Sequence, residues 1–251
     1  MRSSAYKELC TEFYELDKPH AQPDALLYYM EKAAETQGAI LEPMCGTGGF
    51  YIPLLEKGYA ITGFDKSSQM LRRCEEKCKN KGLQAQLYEA DFETFASEQK
   101  FKLIFIPNSS FCLLTDPRDI HKALKKIHEL LDDTGRFIFE VETIHAATQQ
   151  EGIWHTRWLE RSDGSILVGN FANRFNSLTH IETVLCRYEL WQNNAIVQTE
   201  VEDFRLRLYE TDGIDALLEE QGFFIQRKSV PYTSVKGENK ALLYECAKVK
   251  G

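Results

Sequence analysis

The stretch Ile40-Leu41-Glu42-Pro43-Met44-Cys45-Gly46-Thr47-Gly48-Gly49-Phe50 decides how this chain folds. It reads as a buried strand from Ala39 to Leu41, an acid at the strand's end, a glycine-bearing turn, and an amphipathic helix to about Glu56. Gly46 and Gly48 carry no Cβ, so the backbone there can come close to a ligand. The helix that follows offers free N–H groups and the positive end of its dipole to whatever lies in the turn. A second apolar strand, Ala60 to Phe64, then ends in Asp65. Glycines followed by an acid about twenty residues on suit a nucleotide or nucleoside, with the carboxylate taking the ribose hydroxyls.

The residues also discriminate between nucleoside ligands. A dinucleotide turn wants Gly-x-Gly-x-x-Gly, with pyrophosphate on the helix N-terminus. Here the third position is Tyr51, expected to obstruct close helix–strand packing, and Glu42 at the mouth of the turn would repel a pyrophosphate. A carboxylate there suits an ammonium. The ligand should therefore carry a ribose at one end, an ammonium at the other, and no phosphate, which describes S-adenosylmethionine.

At this point the chain resembles the class I S-adenosylmethionine-dependent methyltransferases. Their first motif, an acid followed within a few residues by Cys-Gly-Thr-Gly, is matched by Glu42 through Gly48. The resemblance implies that Asp65 binds the ribose and that Asp91, in Ala90-Asp91-Phe92, lies beside the adenine amino group. Phe101 to Phe111 and Gly135 to Val141 match the family's fourth and fifth strands, so the likeness spans roughly residues 38 to 142. Tyr14, Met44, Lys66, Met70, Phe92 and Asn108 join Glu42, Gly46, Gly48, Asp65 and Asp91 as candidate cofactor residues. Met70 and Phe92 serve either the adenine or the core. Tyr14 serves either as a cover for the sulfonium, where an aromatic face is favourable, or as a helix anchor. Asn108-Ser109-Ser110 departs from the Asp/Asn-Pro-Pro-Tyr signature of members that methylate nucleobase amines or glutamine amides.

Along the chain, apolar strands alternate with helices, which implies a doubly wound, mostly parallel α/β sheet covered on both faces. Seven strands are expected, ending in an antiparallel pair formed by Phe223 to Val230 and Lys240 to Ala247. Helices are expected over Tyr6 to Leu16, Asp24 to Thr36, Ser67/Ser68 to Asn80, Asp116 to Leu131 and Asp212 to Gln221. Between about Trp154 and Leu208 the pattern changes to alternating strands with hairpin turns at Ser162-Asp163-Gly164 and Asn193-Asn194. The organisation expected is a cofactor-binding core, 1–150 and 209–251, with an antiparallel insertion, 151–208, acting as a substrate lid or a dimer surface.

Composition bounds the function. The net charge of −8 offers no footprint for nucleic acid. No apolar run approaches a membrane span, and no signal-peptide core is evident, so a cytoplasmic monomer or homodimer is expected. Seven cysteines, an odd number scattered through apolar segments, do not form a disulfide framework. Cys74 and Cys78 share a helix face without partners for a metal, so none is expected. Methyl transfer is an in-line displacement that needs chiefly alignment. His145 and His155 are the candidate bases, with ordinary loop or strand roles as the alternative. Trp154, Arg157 and Trp158 are the candidate substrate residues, the two tryptophans sharing one strand face. The acceptor expected is a small soluble metabolite with an N or O nucleophile. Rival readings are an NAD-linked oxidoreductase, an aminopropyl transferase and a binding module without turnover.

Overall fold

The computed structural model describes residues 6–231 and 239–249. Its centre is a seven-stranded sheet built from β1 (Ile40–Pro43), β2 (Ile61–Asp65), β3 (Leu87–Glu89), β4 (Phe101–Ile106), β5 (Leu131–Glu142), β10 (Phe223–Ser229) and β11 (Ala241–Lys248). The order across it is β10-β11-β5-β4-β1-β2-β3. The five strands from β5 to β3 run parallel, while β11 is antiparallel to both β5 and β10. This is the doubly wound sheet the sequence implies, with its last strand reversed.

Strand alternation decides which face each side chain occupies. Leu41, Ile104, Ile106, Phe137, Phe139 and Val141 face a core closed by α5 (Pro117–Leu130) and α6 (Asp215–Glu220). Ile40, Leu103, Phe105 and Ile138 face the other core, closed by α2 (Pro23–Ala34), α3 (Tyr51–Glu56) and α4 (Ser68–Asn80). Helix boundaries follow local chemistry. Ser67 caps α4 through the Met70 N–H, and Asp116 caps α5 through the Arg118 N–H.

Tyr51 does not obstruct the helix–strand contact. It is fully buried, and its hydroxyl accepts a hydrogen bond from the Gln86 N–H at 2.7 Å. The room comes from the strand, because a Cβ at Gly63 would lie 3.1 Å from the Tyr51 ring and 2.9 Å from the Cys45 sulfur. The glycine that makes room for Tyr51 is thus on β2, not in the turn.

A second, four-stranded antiparallel sheet comprises β6 (His155–Glu160), β7 (Ile166–Asn176), β8 (Ile181–Gln192) and β9 (Ala195–Arg207), in sequential order. Asn193 and Asn194 both take positive φ, 50° and 59°, as a tight β8–β9 hairpin requires. The helix α1 (Glu8–Asp17) packs on this sheet, burying Leu9, Cys10 and Phe13 against Leu167, Cys186, Tyr188 and Leu190. A Cβ at Gly169 would sit 2.7 Å from the Phe13 ring, so that glycine sets how closely α1 approaches.

Lys7 gives α1 no side-chain cap. Instead, Glu202 accepts the N–H groups of Tyr6 and Lys7, and Glu200 accepts that of Leu9 at 2.8 Å. Two carboxylates at a helix N-terminus satisfy orphan donors and complement its dipole. Arg161 grips Glu12 through two hydrogen bonds of 2.6 Å, and Arg157 pairs with Asp17. The N-terminal helix is therefore anchored to the antiparallel sheet, and Lys77 of α4 holds its Glu15 at 2.9 Å from the other side. No helix among the described residues is long and apolar enough to cross a membrane.

Candidate active site

The carboxyl ends of β1, β2, β4 and β5 open into one cavity of about 720 Å³. Glu42, Met44, Gly46, Asp65, Lys66, Met70, Asp91, Phe92, Asn108 and Tyr14 all line it. The sequence reading thus places ten of its eleven cofactor candidates on one surface.

Gly48 is the exception. Its Cβ would lie 2.5 Å from the Cys74 sulfur and 3.0 Å from Ile52, so the missing side chain makes room for α4 and α3. At Gly46, with φ of 54°, an added Cβ would meet nothing within 4 Å and would stand in the open cavity. The two glycines of the motif do different work. One lets the helices pack, and the other leaves space for a ligand.

The acids differ as well. Asp65 is held by two backbone donors, Gly46 N–H at 2.9 Å and Ser67 N–H at 2.8 Å, one on each oxygen. Each oxygen keeps a lone pair for a further donor, as a ribose diol requires. Burial raises its pKa, with the two N–H groups opposing the rise. Glu42 is 2% exposed, and its Oε2 has no hydrogen-bond partner. Burial, reinforced by the nearby Asp65, pushes its pKa well above the usual carboxylate range. An unpartnered carboxylate oxygen in a cavity wall is costly unless a donor arrives from outside.

The remaining lining residues play mixed parts. Asp91 Oδ1 accepts the N–H groups of Glu93 and Thr94 at 3.0 and 2.9 Å, so it caps a turn as well as facing the cavity. Phe92 packs edge-on to Phe64, with centroids 5.3 Å apart. Met70 is buried while lining the cavity. For both, core packing and a place in the cavity wall coexist. The Tyr14 pKa is raised by burial, then by Glu15, Glu42 and Asp65, and the ring carries Lys18 Nζ 5.8 Å from its centroid. Asn108 and Ser109 adopt left-handed backbone, φ 54° and 53°, and the Asn108 N–H donates to Glu140 at 3.3 Å.

The acceptor-side residues are placed differently from expectation. His145 and His155 are exposed, and neither lines the cavity. Trp158, 64% exposed on β6, and Trp154, 53% exposed just before it, both lie outside the cavity lining. Arg157 is committed to Asp17. On β6, Leu159 packs toward α1 and its neighbour Trp158 points the other way, while Trp154 lies ahead of the strand. From the antiparallel sheet only Leu206 reaches the cavity; its cover is α1 with the residues on either side of it, through Tyr6, Tyr14, Lys18 and His20.

Sequence reading missed Glu140 and Glu142, which also line the cavity. The signal was present. Two acids at alternate positions interrupt the apolar run Phe137-Ile138-Phe139-Glu140-Val141-Glu142, where one buried face would hold both. Glu140 is 4% exposed and accepts the Tyr29 hydroxyl at 2.9 Å.

Comparison with known proteins bears on the fold that carries this cavity. Residues 40–135 match a family model described as a methyltransferase domain. Residues 40–135 thus carry a methyltransferase domain, the kind the motif resemblance in the sequence implies. Over 252 residues, 99% of this chain and 96% of the relative, it is 23% identical to "Putative methyltransferase YqeM" of Bacillus subtilis (strain 168). An S-adenosylmethionine-dependent methyltransferase from Clostridium acetobutylicum ATCC 824 superimposes with a TM-score of 0.78 at 21% identity, covering 96% of this chain and 97% of that one. The sugar N-methyltransferase KedS8 from Streptoalloteichus sp ATCC 53650 gives 0.77 at 14% identity, covering 100% and 96%. The methyltransferase fold thus continues through the antiparallel sheet and past the matched segment.

Proposed function

We propose that this methyltransferase transfers the methyl group of S-adenosylmethionine to a nitrogen or oxygen nucleophile of a small soluble metabolite. The observation that carries the cofactor half is the unpartnered, buried Glu42 oxygen beside the open space at Gly46. An incoming ammonium supplies the missing donor and offsets the buried charge. Asp65, positioned by Gly46 and Ser67, offers two acceptor oxygens to a ribose diol. Phe92 and Met70 supply apolar walls for an adenine, and Asp91 stands beside them. NAD fits poorly, because a pyrophosphate at the turn would face Glu42.

When bound, the cofactor supplies a sulfonium-activated methyl. The chain's task is to align the acceptor with it and to exclude water. A cavity of this volume holds both a nucleoside and a small acceptor. KedS8 acts on a sugar nitrogen, by its name, and shares this architecture. We take residues 1–150 and 209–251 as the cofactor-binding unit and 151–208 as the insertion that backs α1 over the cavity.

The test is incubation of the protein with a metabolite extract and isotopically labelled S-adenosylmethionine. Label is expected in small molecules. Label found only in RNA, DNA or protein would overturn the reading, and cofactor binding without label anywhere would indicate a binding module instead.

A further inference from the structure

The acceptor half of the cavity has its own charge pattern. Glu140 and Glu142 project from β5 on the face that also holds Ile138, the face shared with Ile40 of β1. Strand β4 lies between β5 and β1, so this pair stands across the cavity from the turn that carries Glu42. Glu140 is committed, since Tyr29 and the Asn108 N–H both donate to its Oε1. Glu142 is not. Half-buried at the end of β5, its carboxylate has no hydrogen bond or ion pair with any described residue. Its backbone alone is engaged, the N–H donating to the Cys112 sulfur at 3.2 Å and the carbonyl accepting from the Tyr209 N–H at 2.9 Å.

The groups facing Glu142 come from three neighbouring elements. Glu182 of β8, 5% exposed and bonded by Asn173, lies on the sheet above it. Lys18, after α1, acts on it from the cavity cover, and Lys240, before β11, lines the same space. Burial, Glu182 and Glu140 raise the Glu142 pKa, with Lys18 opposing. A carboxylate so placed gains from any cationic partner and holds a proton more readily than an ordinary acid. Tyr6, Tyr14 and His20 line the same cavity, and burial and acidic neighbours keep Tyr14 protonated.

Resting on the methyltransferase reading above, we propose that the acceptor is an amine that enters as its ammonium, and that Glu142 receives it and takes its proton. The N–H bond breaks and its electron pair stays on nitrogen, while the proton passes to a Glu142 carboxylate oxygen. The freed lone pair then forms the N–C bond to the methyl as the donor's C–S bond breaks, its electrons passing to sulfur. The products are the methylated amine, protonated on nitrogen, and the neutral thioether. The new ammonium keeps every N–H proton that did not pass to Glu142, and Glu142 returns its own proton to solvent.

One experiment separates this inference from its parent. The protein is incubated with ¹³C-methyl-labelled S-adenosylmethionine and the small-molecule fraction of a bacterial cell extract, and the transferred methyl is read by its carbon chemical shift. N-methyl signals are expected. O-methyl signals alone would overturn the amine proposal and leave the methyltransferase reading standing, while no labelled small molecule would overturn both. With the labelled product in hand, Glu142→Gln should lower transfer at neutral pH by about 10²- to 10⁴-fold, the range for a general base. Activity should recover as pH rises past the acceptor's own ammonium pKa, Glu142→Asp should retain part of the rate, and cofactor affinity should not change. A Glu142→Gln enzyme that is unimpaired, or equally impaired at every pH, would refute the assignment to Glu142.

Discussion

Gly46 and Gly48 look equivalent in the sequence, and replacing each with alanine tests the structural claim that they are not. At Gly48, an alanine must hold φ near 84° and place its Cβ 2.5 Å from the buried Cys74 sulfur and 3.0 Å from Ile52. Left-handed backbone costs an L-residue roughly 1–2 kcal/mol, and overpacking a filled core adds about 1–3 kcal/mol. Gly48→Ala should therefore destabilise by about 2–5 kcal/mol, and at about 2–4 °C per kcal/mol for a chain of this size the melting temperature should fall by roughly 4–20 °C. Gly46→Ala meets no neighbour and should cost only the backbone part, about 1–2 kcal/mol, while weakening cofactor binding by intruding on the cavity. Thermal melts of both variants, and of Gly48→Ala combined with Cys74→Ala, measure the difference. The double variant should recover about 1–3 kcal/mol relative to additivity, because the smaller residue removes the clash. A Gly48→Ala protein as stable as wild type, or a strictly additive double variant, would refute the packing role.

Two further outcomes follow from buried hydrogen bonds and charges. Glu42 holds its proton to higher pH in the folded chain than in the unfolded one, so its contribution to stability is complete below the usual carboxylate range and is lost as pH rises through the raised value. Glu42→Gln cannot ionise, so without ligand it should melt above wild type at neutral pH, an advantage that shrinks on acidification, while titration calorimetry shows weaker S-adenosylmethionine binding. Tyr29→Phe leaves Glu140 without its buried hydroxyl donor and should destabilise by about 1.5–3 kcal/mol, the range for a hydrogen bond to a charged group, as read by denaturant unfolding.

The cofactor side was legible in the sequence because its physics is local. An acid at a strand end, a glycine turn and an acid closing the next strand are consecutive features whose spacing fixes their positions, and Glu42, Gly46 and Asp65 meet as that spacing implies. The acceptor side was not, because it is assembled from distant segments. The capping of α1 by Glu200 and Glu202 joins residues about 190 positions apart, and that contact decides that α1, not the tryptophan face, covers the cavity. Trp158 takes one face of β6, but alternation cannot say which face a helix will occupy. Tyr51 misled for a related reason. The space it needs is supplied by Gly63, and nothing in the turn itself records that.

The central claim is that the cavity at Glu42 and Asp65 is a site for S-adenosylmethionine. Isothermal titration of the protein with S-adenosylmethionine, its demethylated product and NAD, repeated with Asp65→Ala, tests it most directly. The first two should bind and NAD should not. Asp65→Ala should weaken binding by about 1.5–3 kcal/mol, roughly 10- to 150-fold in Kd. Tight NAD binding with no response to S-adenosylmethionine, or an Asp65→Ala protein that binds as wild type does, would contradict the account.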